Sequence, residues 1–142
     1  MIVLLVEDDA EVRRVMEMAL APEFDVRSCR TGTEGLQMLR TERVDVLLTD
    51  LDLPGLSGEA LAEAAKMLPR PVPVVAMSGD FGRLEACRSR VDAVIVKPAP
   101  LSAVKAALRR ATRWSQSPGS GGLSARTALG MAVLASIAFS RR

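Results

Sequence analysis

The strongest constraint on the fold is an alternation of short apolar runs with longer, helix-patterned segments, repeated five times within residues 1–114. Runs rich in Val, Ile and Leu are typical of strands buried on both faces, and apolar residues spaced three and four apart indicate helices that bury one side. Five such repeats predict an α/β fold with a parallel, doubly wound sheet and right-handed crossovers. The predicted strands are 2–6, 25–29, 44–49, 74–77 and 93–96, and the predicted helices are 10–20, 31–40, 59–68, 81–90 and 101–114.

The first and last predicted helices carry clear apolar stripes, which we expect to face the sheet. In the last helix the stripe consists of Leu101, Val104, Leu108 and Ala111. In the first helix it consists of Val12, Val15, Met16, Ala19 and Leu20.

The composition changes after Trp114, which predicts three segments: a domain over 1–114, a flexible Ser/Gly linker over 115–122 and an apolar tail over 123–142. The apolar run 128–139 is flanked by arginines, and as a helix it would span about 18 Å against a hydrocarbon core of about 30 Å. Three interpretations stay open: a peripheral or poorly ordered tail, a membrane-associated helix, or a helix docked on a partner or on the domain. Membrane contact through 123–142 is therefore one option for an otherwise cytoplasmic protein.

Charge and residue types exclude several classes of function. Residues 1–114 carry 16 basic and 17 acidic side chains, and this near-neutral balance argues against direct DNA binding. The chain has no histidine, and Cys29 and Cys87 lack metal-ligand spacing, which argues against a zinc site and favours reduced packing thiols. The apolar and then acidic N-terminus does not fit a secretory signal. Any chemistry must therefore use carboxylates, Lys or Ser.

Polar side chains follow four of the five predicted strands. Because the carboxyl ends of parallel strands meet at one edge of a sheet, we expect these side chains to lie within a few ångströms of each other in one crevice. They are Glu7, Asp8 and Asp9 after the first strand, Asp50 after the third, Ser78 after the fourth and Lys97 after the fifth.

This set of groups suits phosphoryl transfer to a carboxylate. Crowded carboxylates repel each other, and a hard divalent cation such as Mg²⁺ relieves that repulsion while leaving room for phosphate oxygens. A carboxylate can attack a phosphoryl donor and form an acyl phosphate. We expect Mg²⁺, Lys97 and the Ser78 hydroxyl each to stabilise one phosphoryl oxygen.

The motifs on these strand ends resemble the response-regulator receiver family over about residues 1–114. They read Leu-Val-Glu-Asp-Asp, Leu-Leu-Thr-Asp-Leu-Asp-Leu-Pro-Gly-Leu-Ser-Gly, Met-Ser-Gly and Val-Lys-Pro. Each motif is weak alone, but together and in this order they are specific. The resemblance implies a flavodoxin-like sheet with strand order 2-1-3-4-5.

The resemblance also assigns a role to each site residue. Asp50 corresponds to the phosphoacceptor, Ser78 to the switch residue and Lys97, followed by a cis proline bond, to the cation that pairs with the phosphate. For Mg²⁺, it implies Asp8 as a direct ligand, Glu7 as a ligand through water, and Asp50 and the main-chain carbonyl of Asp52 as further ligands.

The implied function is that of a single-domain signalling receiver. Such a protein takes a phosphoryl group from a histidine kinase or histidine phosphotransfer protein and catalyses its own phosphorylation and slow hydrolysis without being a metabolic enzyme. The segment after residue 115 is too short for a helix-turn-helix output domain, so the signal is expected to pass to a downstream protein target that the sequence does not identify.

The sequence departs from the family in two places. Val94 stands where the family usually has an aromatic residue, the chain has no tyrosine, and the interval from Ser78 to Lys97 is short, which predicts an abbreviated fourth helix. We therefore expect phosphorylation to shift a conformational population through loop and Ser78 movement, without an aromatic rotamer change.

Other interpretations stay open. Asp9 alone is typical of a helix N-cap, Ser78-Gly79 alone of a turn, and Lys97 alone of a solvated charge. Asp50-Leu51-Asp52 also resembles the nucleophile motif of haloacid-dehalogenase-type phosphatases, although that family has the motif on its first strand and an acidic pair late in the chain. A further alternative is a receiver-like docking module that is never phosphorylated.

Overall fold

The computed structural model describes residues 1–116, in which five strands alternate with five helices. The strands are β1 (Ile2–Val6), β2 (Asp25–Cys29), β3 (Val46–Asp50), β4 (Val74–Ser78) and β5 (Ala93–Val96). The helices are α1 (Ala10–Leu20), α2 (Gly32–Thr41), α3 (Gly58–Lys66), α4 (Phe81–Cys87) and α5 (Leu101–Gln116), with one 3₁₀ turn over Arg88–Arg90.

The predicted tail, 123–142, lies outside the described residues, as does the predicted linker beyond its first two positions. Within residues 1–116, no helix combines the length and the apolar character needed to cross a bilayer. The interpretations of the tail therefore remain predictions.

All five strands are parallel, and their order in the sheet is β2-β1-β3-β4-β5. The predicted fold class and strand order are confirmed. The register sets Val6 level with Thr49, Asp50 level with Met77, and Ser78 level with Val96. The carboxyl ends of β1, β3, β4 and β5 therefore finish side by side.

The sheet separates two apolar cores, because successive strand residues point to opposite faces. On one face Leu4 and Leu47 pack among residues of α2, α3 and α4, and on the other Leu5 and Leu48 pack among residues of α1 and α5. These four leucines are fully buried. Burial of one such side chain contributes about 1.5–3 kcal/mol, so the strands are held firmly from both sides.

Side-chain caps fix where four of the helices begin. Each cap accepts a hydrogen bond from a backbone N–H of the first helical turn, which satisfies donors that have no partner inside the helix. Three of these helices, α1, α3 and α4, begin after strands that end in the polar residues of the site. The caps are Asp9 for α1, Thr31 for α2, Ser57 for α3 and Asp80 for α4.

The predicted inward position of Val15 is wrong. Met16 and Leu20 of α1 are buried, but Val15 is 58% exposed. It lies on the rim of an apolar groove of about 650 Å³, which α1 shares with Leu101 and Val104 of α5. Val15 is exposed because α5 does not close over this part of α1.

Cys29 and Cys87 are both free and buried, and burial lowers the reactivity of their thiols. Burial and the charge of Glu34 raise the pKa of Cys29 to about 11, and burial likewise raises the pKa of Cys87. At pH 8 about one Cys29 thiol in a thousand is then ionised. We expect iodoacetamide to label neither cysteine within minutes in the native chain and both in denaturant, as measured by intact mass. Rapid labelling of the native chain would contradict this packing.

Candidate functional site

The candidate site lies at the carboxyl ends of β1, β3, β4 and β5. The strand ladders continue past these ends, since Glu7 N donates to Cys29 O (3.2 Å) and Lys97 N donates to Ser78 O (2.9 Å). Glu7 and Lys97 therefore start from backbone positions fixed by the sheet, and Asp50 is itself the last residue of β3.

Lys97 joins two carboxylates that come from different strands. Its Nζ lies 3.1 Å from Glu7 Oε1 and 3.3 Å from Asp50 Oδ2. Glu7 and Asp50 are buried residues, whereas the side chain of Lys97 is 30% exposed. The ammonium thus lies at the mouth of the site with the two acids behind it.

Asp8 completes an acidic cluster with the same two residues. Carboxylate oxygens of Glu7, Asp8 and Asp50 lie within 4.8 Å of one another, and Asp8 is exposed while the other two are buried. When all three are ionised, Lys97 offsets only one of the three negative charges. An all-oxygen donor set with excess negative charge and one solvent-facing member fits a hard cation such as Mg²⁺.

The pKa shifts follow from this crowding. Burial raises the pKa of Glu7 above its ordinary value, and the charge of Asp50 adds to the effect against the lowering by Lys97. Partial burial works to lower the pKa of Lys97, but the charges of Asp50 and Glu7 outweigh it and the pKa is raised. Lys97 therefore stays protonated at neutral pH. A second cation beside Glu7 would lower the raised pKa of that residue and favour its ionised form.

Ser78 lies at the end of β4 and is fully buried. Its Oγ accepts a hydrogen bond from Asp80 N at 2.9 Å, and Asp80 caps α4 by accepting from Arg83 N at 3.1 Å. The Ser78 hydroxyl is therefore linked to the first turn of α4 through the Asp80 cap.

Asp9 caps the N-terminus of α1 and does not belong to the acidic cluster. Its Oδ1 accepts hydrogen bonds from Glu11 N at 2.9 Å and Val12 N at 3.1 Å, which caps α1. The interpretation of Asp9 as an N-cap is confirmed, and the acidic cluster consists of the other three carboxylates.

Asp52 contributes to the site through its backbone. Asp52 N donates to Asp50 Oδ1 at 3.2 Å, whereas the Asp52 carboxylate points out and pairs with Arg83. A dehalogenase-type phosphatase would need that side chain free for proton transfer, and here it is engaged. The metal-ligand role of the Asp52 main-chain carbonyl remains a prediction.

Gly58 allows the loop after β3 to close tightly against the phosphoacceptor candidate. A Cβ at this position would lie 2.2 Å from Asp50 O and 2.6 Å from Leu51 Cα. In the sequence, Gly58 is only the last residue of the motif that begins at Leu47, and no motif includes Arg83. Ser57 followed by Gly58 is a pattern that indicates the start of a helix. No sequence pattern indicates the contacts of Arg83.

Val94 is fully buried in the core on the α4 side of the sheet. This is the position at which the resemblance in the sequence implies an aromatic side chain. The Lys97–Pro98 bond is cis, as expected.

Comparisons with known proteins agree with this geometry. The sequence profile described as the response regulator receiver domain matches residues 3–109. The chain is 31% identical over 120 residues to the Streptomyces coelicolor transcriptional regulatory protein AfsQ1, a match that covers 79% of this chain and 53% of that protein. It is 28% identical over 105 residues to the Vibrio harveyi autoinducer 1 sensor kinase/phosphatase LuxN, which covers 71% of this chain and 12% of that protein. The chain thus spans about half the length, or less, of these relatives.

Solved structures share the fold. A receiver domain of a Pseudomonas aeruginosa sensor histidine kinase, with a magnesium ion coordinated in its active-site cleft, has a TM-score of 0.72 at 24% identity and covers 79% of this chain and 97% of that one. The receiver domain of a Francisella response regulator has a TM-score of 0.73 at 20% identity and covers 81% of this chain and 98% of that one.

Proposed function

The chain belongs to the response regulator receiver domain family, and we propose that it accepts a phosphoryl group on Asp50 from the phosphohistidine of a histidine kinase or histidine phosphotransfer protein. The observation that carries the proposal is the contact of Lys97 Nζ with both Asp50 (3.3 Å) and Glu7 (3.1 Å) beside the acidic cluster. A buried carboxylate, a fixed ammonium and adjacent acidic ligands are the groups that this transfer requires.

Asp50 acts as the nucleophile. One carboxylate oxygen bonds to phosphorus while the phosphorus–nitrogen bond of the donor breaks, and the bonding pair leaves with the imidazole nitrogen. Lys97 is held at Asp50 Oδ2 and neutralises charge on the incoming phosphoryl oxygens. The Ser78 hydroxyl, at the end of the neighbouring strand, donates to another of these oxygens.

Glu7, Asp8, Asp50 and the main-chain carbonyl of Asp52 are the groups that would hold Mg²⁺. When bound, the ion would supply charge neutralisation for the phosphoryl oxygens and the carboxylates. The magnesium in the cleft of the Pseudomonas receiver supports this assignment. Glu7 orients the cluster, since its Oε2 also accepts from Asp9 N at 3.2 Å.

The proposed role is signalling rather than metabolism. The chain would catalyse its own phosphorylation and the slow hydrolysis of the acyl phosphate, and pass the signal to a downstream protein. Because its relatives include a transcriptional regulator and a sensor kinase that are both longer, the target is not assigned. Direct DNA binding is not expected from a near-neutral body. We propose the cytoplasm as the location, because the proposed donor is the phosphohistidine of a histidine kinase or phosphotransfer protein.

Acetyl phosphate provides a test that needs no cognate kinase. With Mg²⁺ we expect one phosphoryl adduct per chain by intact mass, and with a chelator we expect none. A docking module that is never phosphorylated would give no adduct under either condition.

The readout is expected to pass through Ser78 and α4. When Ser78 moves toward the phosphoryl group, its bond to Asp80 N transmits the change to the start of α4. With beryllofluoride and Mg²⁺ as an acyl-phosphate mimic, we expect amide NMR shifts at the metal ligands, at Ser78 and along Phe81–Cys87. Val94 cannot undergo the rotation of an aromatic ring, so its methyl groups should report only a packing change. Shifts confined to the metal ligands would contradict this route.

A further inference from the structure

Arg83, in the first turn of α4, reaches across to the segment that follows the phosphoacceptor. Its Nε donates to Glu59 Oε2 at 3.0 Å, and its Nη2 donates to Glu59 Oε1 at 2.7 Å and to Leu51 O at 3.0 Å. Its Nη1 pairs with the carboxylate of Asp52. One guanidinium therefore holds three residues between the end of β3 and the start of α3.

This contact differs from an ordinary surface ion pair. The side chains of Arg83 and Glu59 are 32% and 27% exposed, and the two form a bidentate pair. Although partial burial opposes it, the hydrogen bonds and charge of Arg83 lower the pKa of Glu59. A bidentate pair of an arginine and a carboxylate has a defined, planar geometry. An exposed ion pair with a single contact, in contrast, contributes little to stability.

The peptide group between Leu51 and Asp52 is consequently held on both sides. Its N–H, from Asp52, donates to Asp50 Oδ1 at 3.2 Å. Its C=O, from Leu51, accepts from Arg83 Nη2 at 3.0 Å and from Gly58 N at 3.1 Å. The carboxylate of the same Asp52 is bound to Arg83, so the residue is fixed at its backbone and at its side chain.

We propose that Arg83 is a positioning residue for the metal site. By fixing the 51–52 peptide and the Asp52 side chain, it would hold in place the Asp52 main-chain carbonyl and the Asp50 carboxylate, two of the groups that would bind the cation. This inference rests on the proposed Mg²⁺-dependent receiver function. Arginine is required because only its planar fork reaches a carbonyl and two carboxylates at once, whereas a lysine supplies a single point charge.

Mg²⁺ binding to the full chain, measured by titration calorimetry and by amide NMR, tests the proposal. We expect Arg83→Gln to raise the dissociation constant about tenfold, as for other groups that orient metal ligands, and Arg83→Lys to raise it nearly as much. A matched control is Arg90→Gln, because Arg90 pairs with Glu63 of α3 at 3.7 Å and both side chains are more than half exposed. The control is expected to stay within twofold of the wild type.

A role in positioning the metal site predicts a specific kinetic pattern with acetyl phosphate. The Mg²⁺ concentration for half-maximal phosphorylation should rise in Arg83→Gln, while the rate at saturating Mg²⁺ returns to within about threefold of the wild type.

A dissociation constant within twofold of the wild type in a folded Arg83 variant would overturn the inference, and Arg83→Lys serves if the glutamine variant fails to fold. A wild-type chain that binds no Mg²⁺ would overturn the proposed function as well. Normal Mg²⁺ binding without phosphorylation would overturn the proposed function alone.

Discussion

Replacing Asp50 by alanine is expected to abolish phosphoryl incorporation from acetyl phosphate and Mg²⁺. The variant lacks the oxygen that forms the new bond, so the loss should be complete to the detection limit of intact-mass measurement rather than a partial decrease in rate. The chain should remain folded, because removal of Asp50 relieves its repulsion with Glu7 and leaves Lys97 paired to that residue at 3.1 Å. A far-UV dichroism spectrum and a thermal unfolding curve check the fold.

The matched control is Asp52→Asn, two residues further along the chain. This change keeps the main-chain carbonyl and the N–H that binds Asp50, and it removes only the exposed charge that pairs with Arg83. Because the contact with Arg83 is weakened, this variant is expected to need more Mg²⁺ for half-maximal phosphorylation, but to reach the same final extent at saturating Mg²⁺. A dehalogenase-type phosphatase would behave differently, because it needs the Asp52 carboxylate as acid and base. Labelling that persists in Asp50→Ala would reject Asp50 as the acceptor.

The fold could be predicted from the sequence because local patterns and topology agree. Apolar strand runs and helical stripes placed most elements within two residues of their observed ends. The clearest differences are β3, predicted from Val44 and observed from Val46, and α4, which ends at Cys87 before a 3₁₀ turn. The carboxyl ends of parallel strands meet at one edge of the sheet, independently of the conformation of the loops. The order of the strands and of the polar residues in the sequence was therefore enough to predict that Glu7, Asp50 and Lys97 lie close together.

The supporting contacts could not be predicted in the same way. Arg83 binds Leu51 and Glu59 across 32 and 24 residues, and nothing in the sequence around it distinguishes it from Arg88 and Arg90 of the same segment. Val15 fits the apolar stripe of α1 but is exposed, because its burial depends on how far α5 extends over it. Patterns read along one element predict which face turns inward, but they do not predict what a distant element covers.

Gly58→Ala is expected to destabilise the chain by about 3 kcal/mol or more, and to lower the yield of phosphorylated protein at ambient temperature. The new Cβ would lie 2.2 Å from Asp50 O and 2.6 Å from Leu51 Cα, and both contacts are with backbone. A flexible side chain could move aside, but here either β3 or the start of α3 must shift. Denaturant unfolding followed by dichroism measures the free energy, and the same samples treated with acetyl phosphate measure phosphorylation of the folded fraction.

Gly58→Ala is informative because the expected loss of stability is opposite to the effect of helix propensity. Alanine is about 1 kcal/mol better than glycine inside a helix, so helix propensity gives no reason for a loss of stability at Gly58, the first residue of α3. A loss of stability can then come only from the close approach to Asp50 and Leu51. Gly79→Ala is the matched control next to the site, since its Cβ would meet only Lys97 O at 3.9 Å, an ordinary contact. If Gly58→Ala were as stable as this control, the loop would not restrain the backbone of Asp50, and β3 alone would fix the position of Asp50.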